Sequence, residues 1–204
     1  MILIETDTYA TATGKASLPG KAVIMNRYAL FTDVSVNPQH KVGVGGYLLV
    51  PLSFLEVELY TVEQENVVPR IKIKRFVDTS STKLEIQTVL WALEETCEAL
   101  TNPGYGSLQI YTDSQCVAGL LHRRTALTHG DFIAKRSGHP LAHAPLYRAF
   151  YAAHDQLGFQ VIKLPGHSSA CSHDTVQRIF SYVDREVRRE LKILATTLDS
   201  ELQE

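Results

Sequence analysis

Apolar positions along this chain change period several times, and each change marks an element. Residues 28–36, YALFTDVSV, read as a buried strand interrupted by one acid. Residues 42–52, VGVGGYLLVPL, read as a second strand whose glycines permit a turn or close packing. A polar, acidic connection, 53–67, is expected to be a loop. Residues 70–77, RIKIKRFV, then alternate apolar and basic, the period-two signature of a strand with one solvated face. Over 82–100 the period lengthens: Ile86, Val89, Leu90, Leu93, Cys97 and Leu100 form one stripe, with Glu94, Glu95 and Glu98 away from it. That spacing predicts one amphipathic helix, ended by NPGYG. SLQIYTD (107–113) predicts a short strand and SQCVAGLLHRR (114–124) the helix after it. The Gly/His/Pro-punctuated stretch 125–142 reads as loop, 143–157 as helix and FQVIKL (159–164) as the last strand. A final long helix is expected to begin near Ser172 or Asp174 and run towards 196.

Three early strands suit antiparallel hairpins, and the later alternation of strand and helix suits parallel pairing. The expected fold class is therefore α/β, a mixed five-stranded sheet flanked by helices. Residues 1–26 show no sustained period and are read as an N-terminal extension without an assigned role. Residues 27–204 form the expected domain, closed by the long C-terminal helix.

Composition adds few constraints. The 204 residues are 45% hydrophobic and 21% charged, with a net charge of −2, as in an ordinary globule long enough for one sizeable core. No apolar run approaches a membrane span. The start, MILIETDTYATATG, lacks the basic and apolar regions of a signal peptide, so a cytoplasmic protein is expected; no membrane partner and a monomeric state are expected as well. The slight negative charge weighs mildly against a nucleic-acid partner, unless acids concentrated at one site account for it. The three cysteines form no CxxC.

Four acids carry the chemical signal. Asp33 interrupts an apolar strand, where a carboxylate pairs poorly and is costly to desolvate; the plain alternative is a strand ending at Thr32. Glu85 borders the apolar stripe of its helix, although Thr82-x-x-Glu85 also reads as a capping box. Asp113 ends a buried strand where ligands often bind, or it caps the next helix. Asp184 lies beside the stripe of Val176, Phe180, Val183, Val187 and Leu191, or simply pairs with Arg188 one turn on. Four acids gathered from two strands and two helices repel one another, and divalent cations offset that repulsion best.

The strings around these acids resemble ribonuclease H, type 1. LQIYTDSQCVAGLLHRR is similar to that family's fourth strand and following helix, and TSSTKLEIQTVLWALEE to its first helix. ALFTDVSVNP with GVGGYLLV resembles its first hairpin, IKLPGHSS its late strand and histidine loop, and VDREVRREL its final helix. The resemblance spans roughly residues 28–190. Glu85 precedes Asp113, as in that family, and Asp33-Val34-Ser35 lacks the Asp-x-Glu of related exonucleases.

The resemblance implies an endonuclease that hydrolyses the RNA strand of an RNA/DNA hybrid with two Mg²⁺ ions (or Mn²⁺), leaving 5′-phosphates. Asp33 would bridge the ions, Glu85 and Asp113 share one, and Asp184 help hold the other; Asp174 is the alternative fourth acid. His167 would assist proton transfer or product release. Ser81, Thr82 and Gln115 match positions that contact the minor groove, with Ser35 and Asn37 near comparable ones. Arg123 and Arg124, with Lys135 and Arg136 beyond, would meet phosphates. A competing zinc reading of His167, Cys171 and His173 lacks both an established spacing and a fourth ligand. Two departures bear on substrate choice: Val34 stands where the family has glycine, and the helix contacts are Ser and Thr where Asn is common.

Overall fold

The computed structural model describes residues 25–56, 62–165 and 174–201. Most of the N-terminal extension, together with His167, Cys171 and His173, therefore lies outside the described residues. Five strands, β1 (Asn26–Asn37), β2 (Val42–Pro51), β3 (Lys72–Phe76), β4 (Tyr105–Thr112) and β5 (Gln160–Lys163), form one sheet in the order β3-β2-β1-β4-β5. β1 pairs antiparallel with β2, and β2 with β3, whereas β1–β4 and β4–β5 are parallel. The expected mixed sheet is therefore present, with β1 in its middle.

Six α-helices accompany it among the described residues: α1 (Gln64–Val67), α2 (Ser81–Glu95), α3 (Cys97–Thr101), α4 (Gln115–His129), α5 (Ala144–Leu157) and α6 (Thr175–Glu201). The period-two pleat divides the sheet residues between two cores. On one face Leu30, Tyr47, Leu108 and Ile110 pack with Val89 and Leu93 of α2 and Phe150 of α5. On the other, Ala29, Phe31, Val44, Leu48 and Tyr111 pack with Ile179, Val183 and Val187 of α6. None of the described helices is long and apolar enough to cross a membrane.

Three local expectations are corrected. The single helix over 82–100 is two, because Thr96 leaves helical geometry and its hydroxyl donates to the Ala92 carbonyl at 2.6 Å. Leu100 remains fully buried on α3, so the stripe continues through the break. The loop expected at 53–67 contains α1 and a 3-10 turn over Leu52–Leu55, with Leu52, Val62 and Val67 buried. Its apolar residues are too sparse to show a period, yet they pack beneath α6, where the Tyr182 hydroxyl donates to the Val62 carbonyl at 3.2 Å. Finally, α4 runs to His129, not Arg124, and stops at Gly130. Asp131 and Phe132 then take left-handed φ angles of 45° and 59°, which returns Phe132 to the core beneath the Arg148 guanidinium, 4.4 Å from its ring centroid.

Candidate active site

Two adjacent glycines set the separation of the helices that carry acids. Gly45 and Gly46 of β2 pair with Val34 and Asp33 of β1 and point to opposite faces of the sheet. At Gly45 a side chain would collide with Thr88 of α2, whose Cγ2 and Cβ would lie 3.0 and 3.1 Å from its first carbon. At Gly46 the same carbon would lie 3.3 Å from Val187 Cγ2 of α6. Each helix thus approaches the backbone of β2 closely, and each carries an acid three residues before its contact: Glu85 before Thr88, and Asp184 before Val187. Residues three apart share a helix face, so the glycines help bring both acids to the end of β1.

There Asp33 is 8% exposed. It is continuous with the strand, paired with Gly46, and does not fall in a turn. Burial pushes its carboxyl well above the usual range, and the charges of Asp113 and Asp184 push it further. The Val34 amide opposes this by hydrogen bonding, while a hydrogen bond with Asp184 favours the protonated form.

The competing explanations for the other acids fare unequally. The cap of α2 is Ser80, without a side-chain capping bond. Glu85 is therefore five residues beyond the cap, and the Thr82-x-x-Glu85 capping box does not form. Glu85 Oε2 instead accepts from the Ser114 hydroxyl at 2.7 Å, and Oε1 accepts more weakly from Ser81 at 3.4 Å. Asp113 is exposed and does not cap α4; Ser114 does, its Oγ accepting from the Val117 amide at 3.0 Å. Asp184 does make the predicted i,i+4 pair, with Arg188 Nε at 2.7 Å, and it also meets Asp33. Asp174 caps the start of α6 by accepting from the Gln177 amide at 2.8 Å, so Asp184 is the C-terminal acid in hydrogen-bond contact with Asp33.

Ser114 was not singled out by sequence reasoning, although it sits inside the TDSQ string. Its hydroxyl donates to one acid while accepting from the helix it caps, so it ties α2 to the start of α4. Ser114→Ala is expected to lower stability by about 1–2 kcal/mol, the loss of a cap plus a charge-assisted hydrogen bond. Thermal unfolding checks this; an unchanged midpoint would mean that neither bond matters.

The remaining candidates are dispersed. Ser35 and Asn37 lie at the end of β1, where the Asn37 side-chain carbonyl accepts from the Gln39 and His40 amides at 3.0 and 3.2 Å. Ser81 and Thr82 open α2 and Gln115 opens α4, with Ser81 and Gln115 exposed. Arg123 folds back onto its own helix, donating to the Gly119 and Cys116 carbonyls. Arg124 is engaged by Asp155 through two bonds of 2.7 Å and stacks over Tyr151.

Asp33, Glu85 and Asp113 line one cleft with Thr32, Thr112 and Ser114, and the charges of Asp113 and Asp184 reach Asp33, so the side-chain donors gathered there are all oxygens. Their mutual repulsion is visible in the Asp33 carboxyl. A hard divalent cation fits that donor set. As they stand, no three His, Cys, Asp or Glu side chains among the described residues are close enough to form a ready metal cage. Ser114 holds Glu85, and Arg188 holds Asp184.

No family model matches the sequence, and no curated protein matches it. Among solved structures, one of the foamy viral protease-reverse transcriptase in complex with dsDNA superposes with a TM-score of 0.50 at 14% identity, over 78% of this chain and 94% of that one. Another, of the same protein in complex with an RNA/DNA hybrid, gives a TM-score of 0.48 at 12% identity, over 84% of this chain and 21% of that one. The first likeness concerns fold alone: the mixed five-stranded sheet flanked by helices is a ribonuclease H-like fold.

Proposed function

We propose that this chain is a metal-dependent endonuclease that hydrolyses the RNA strand of RNA/DNA hybrids. The observation that carries the reading is Asp33: a carboxyl buried on the central strand and crowded by Asp113 and Asp184. Such crowding costs stability, and the plain structural uses of Glu85 and Asp113 as helix caps are not realised. Strongly perturbed carboxyls in a cleft mark functional sites.

Asp33, Glu85, Asp113 and Asp184 would hold the cations. Bound Mg²⁺ would supply positive charge at the scissile phosphate and make a water acidic enough to attack at neutral pH. Asp33 lies where β1 meets both acid-bearing helices, and its carboxyl must lose its proton before it serves as a ligand. Ser114 fixes the orientation of Glu85, and the start of α4 fixes Asp113 at the open side of the cleft. Minor-groove contact would come from Ser81, Thr82 and Gln115, beside the acids on the openings of α2 and α4, through the 2′-hydroxyls that distinguish RNA. His167, in its PGHSS string, would assist proton transfer or product release.

A second reading keeps the metal site and changes the substrate. Arg124 is committed to Asp155, and the Asn37 carbonyl to its own turn, so part of the carried-over contact set is already engaged. A nuclease of this fold acting on another nucleic acid fits those engagements. The deciding experiment is cleavage of an end-labelled RNA/DNA hybrid in Mg²⁺ beside duplex DNA, duplex RNA and single strands. Hybrid-selective cutting is expected, with loss of about a thousandfold or more in Asp113→Asn. Cutting of a different substrate would favour the second reading. A folded protein that cuts nothing in Mg²⁺ or Mn²⁺ would point to a binding module.

A further inference from the structure

A groove of about 480 Å³ lies between the β1–β2 turn and α6, within the range of about 300–1,000 Å³ seen for small-ligand sites. Val36 lines it from the end of β1, Pro38 from the turn, and Leu191 and Ala195 from the helix. Its charged lining residues are Arg188 and Lys192, four apart and so on one face of α6, and no acid lines it. Among the described residues Lys192 makes no ion pair. Arg188 holds Asp184, its Nε 2.7 Å from a carboxylate oxygen, with its own side chain 55% exposed. Asp184 is its one ion-pair partner among the described residues, and the planar guanidinium carries further N–H donors on the same rigid fork.

Arg188 therefore belongs to two places at once. It is a cation of the groove, and it is the group that holds the fourth carboxylate. An ion pair this exposed is weak, whereas a phosphodiester offers the guanidinium two oxygens in matching geometry. We propose that the groove binds a nucleic-acid backbone phosphate, and that this phosphate takes Arg188 from Asp184. Substrate entry then frees Asp184 for the divalent cation, and the two ligands bind cooperatively. Apolar walls suit the sugar face beside the phosphate, and two cations in a lining that holds no acid suit a polyanion. This inference rests on the nuclease reading.

Linkage makes the coupling reciprocal, which gives a test independent of turnover. Mg²⁺ affinity is measured by titration calorimetry on the full chain, alone and with a cleavage-resistant 2′-O-methyl RNA/DNA hybrid. Hybrid affinity is measured by fluorescence anisotropy in EDTA at several salt concentrations. In the parent protein the hybrid should tighten Mg²⁺ binding by about fivefold or more. Arg188→Gln should bind Mg²⁺ more tightly than the parent without hybrid and lose the coupling. Lys192→Ala should keep the parent's Mg²⁺ affinity without hybrid while its salt-dependence slope falls by about 1. Equal or weaker Mg²⁺ binding in Arg188→Gln, or an unchanged slope in Lys192→Ala, overturns the proposal. Cleavage of an ordinary hybrid by the parent separates the two failures. If the parent cuts and the variants behave like it, the groove alone is wrong. If the parent neither cuts nor binds, the nuclease reading fails with it.

Discussion

Replacing Asp33 with Asn is expected to do two opposite things: abolish hydrolysis and make the metal-free protein more stable. Loss of a ligand that several catalytic interactions share should cost at least about a thousandfold in kcat. Stability should rise by about 1–2 kcal/mol near neutral pH, the range of a single relieved conflict. The sign follows from the carboxyl's environment. Burial and the neighbouring Asp113 and Asp184 raise its pKa in the folded chain above the ordinary value. Between the ordinary and raised values the folded state binds more protons than the unfolded one, so stability falls as pH rises. Above that window the penalty is fully present; below the ordinary aspartate range, near about pH 3.9, it is absent. Chemical unfolding in EDTA across this range should show the falling limb in the parent and lose this contribution in Asp33→Asn. Mg²⁺ should stabilise the parent, since a ligand that binds only the folded state does so, and should stabilise the variant much less. A variant less stable than the parent at every pH would show that Asp33 is a structural residue.

The second large effect is expected at Gly45. A side chain there must push against Thr88 through its rigid β-branched end. Gly45→Ala is expected to cost about 1–3 kcal/mol, as overpacked cores do, and Gly45→Val more. Because Glu85 lies one turn before Thr88, displacement of α2 should lower activity as well as stability. Gly46→Ala is expected to be milder. Its nearest obstacle is the Ile73 Cδ1 methyl at 2.9 Å, the movable end of a side chain, with Val187 at 3.3 Å. The Thr88 hydroxyl is buried without a hydrogen-bond partner, so Thr88→Ala removes the obstacle without breaking a bond. In a double-mutant cycle Thr88→Ala should recover part of the Gly45→Ala loss. Additive costs would mean that the two residues do not oppose one another.

Much of this arrangement was legible in the chain. Asp33 in an apolar strand signalled a carboxylate that needed partners, and the structure surrounds it with two other acids. Glu85 bordering an apolar stripe signalled a side chain directed towards the sheet, and the capping-box alternative fails because the helix is capped at Ser80, two residues before the Thr82 that the box requires. The engagement of Arg124 by Asp155 was not legible, because those residues are 31 positions apart and nothing local couples them. Ser114 was overlooked for a similar reason. An N-cap serine explains itself locally, and only the arrival of α2 gives its hydroxyl a second partner.

Period and punctuation in the sequence by themselves determined the strands, the main helices and the mixed sheet. Hydrophobic burial with a period of two or near 3.6 is a local property that survives without knowledge of neighbours. Tertiary structure alone decided the breaks at Thr96 and His129, the core role of residues 62–67 and the partners of each acid. Those depend on which helix comes within a few ångströms of which strand. At β2 that distance is limited by the missing side chains of Gly45 and Gly46, which the sequence displays but whose facing residues, Thr88 and Val187, only packing selects.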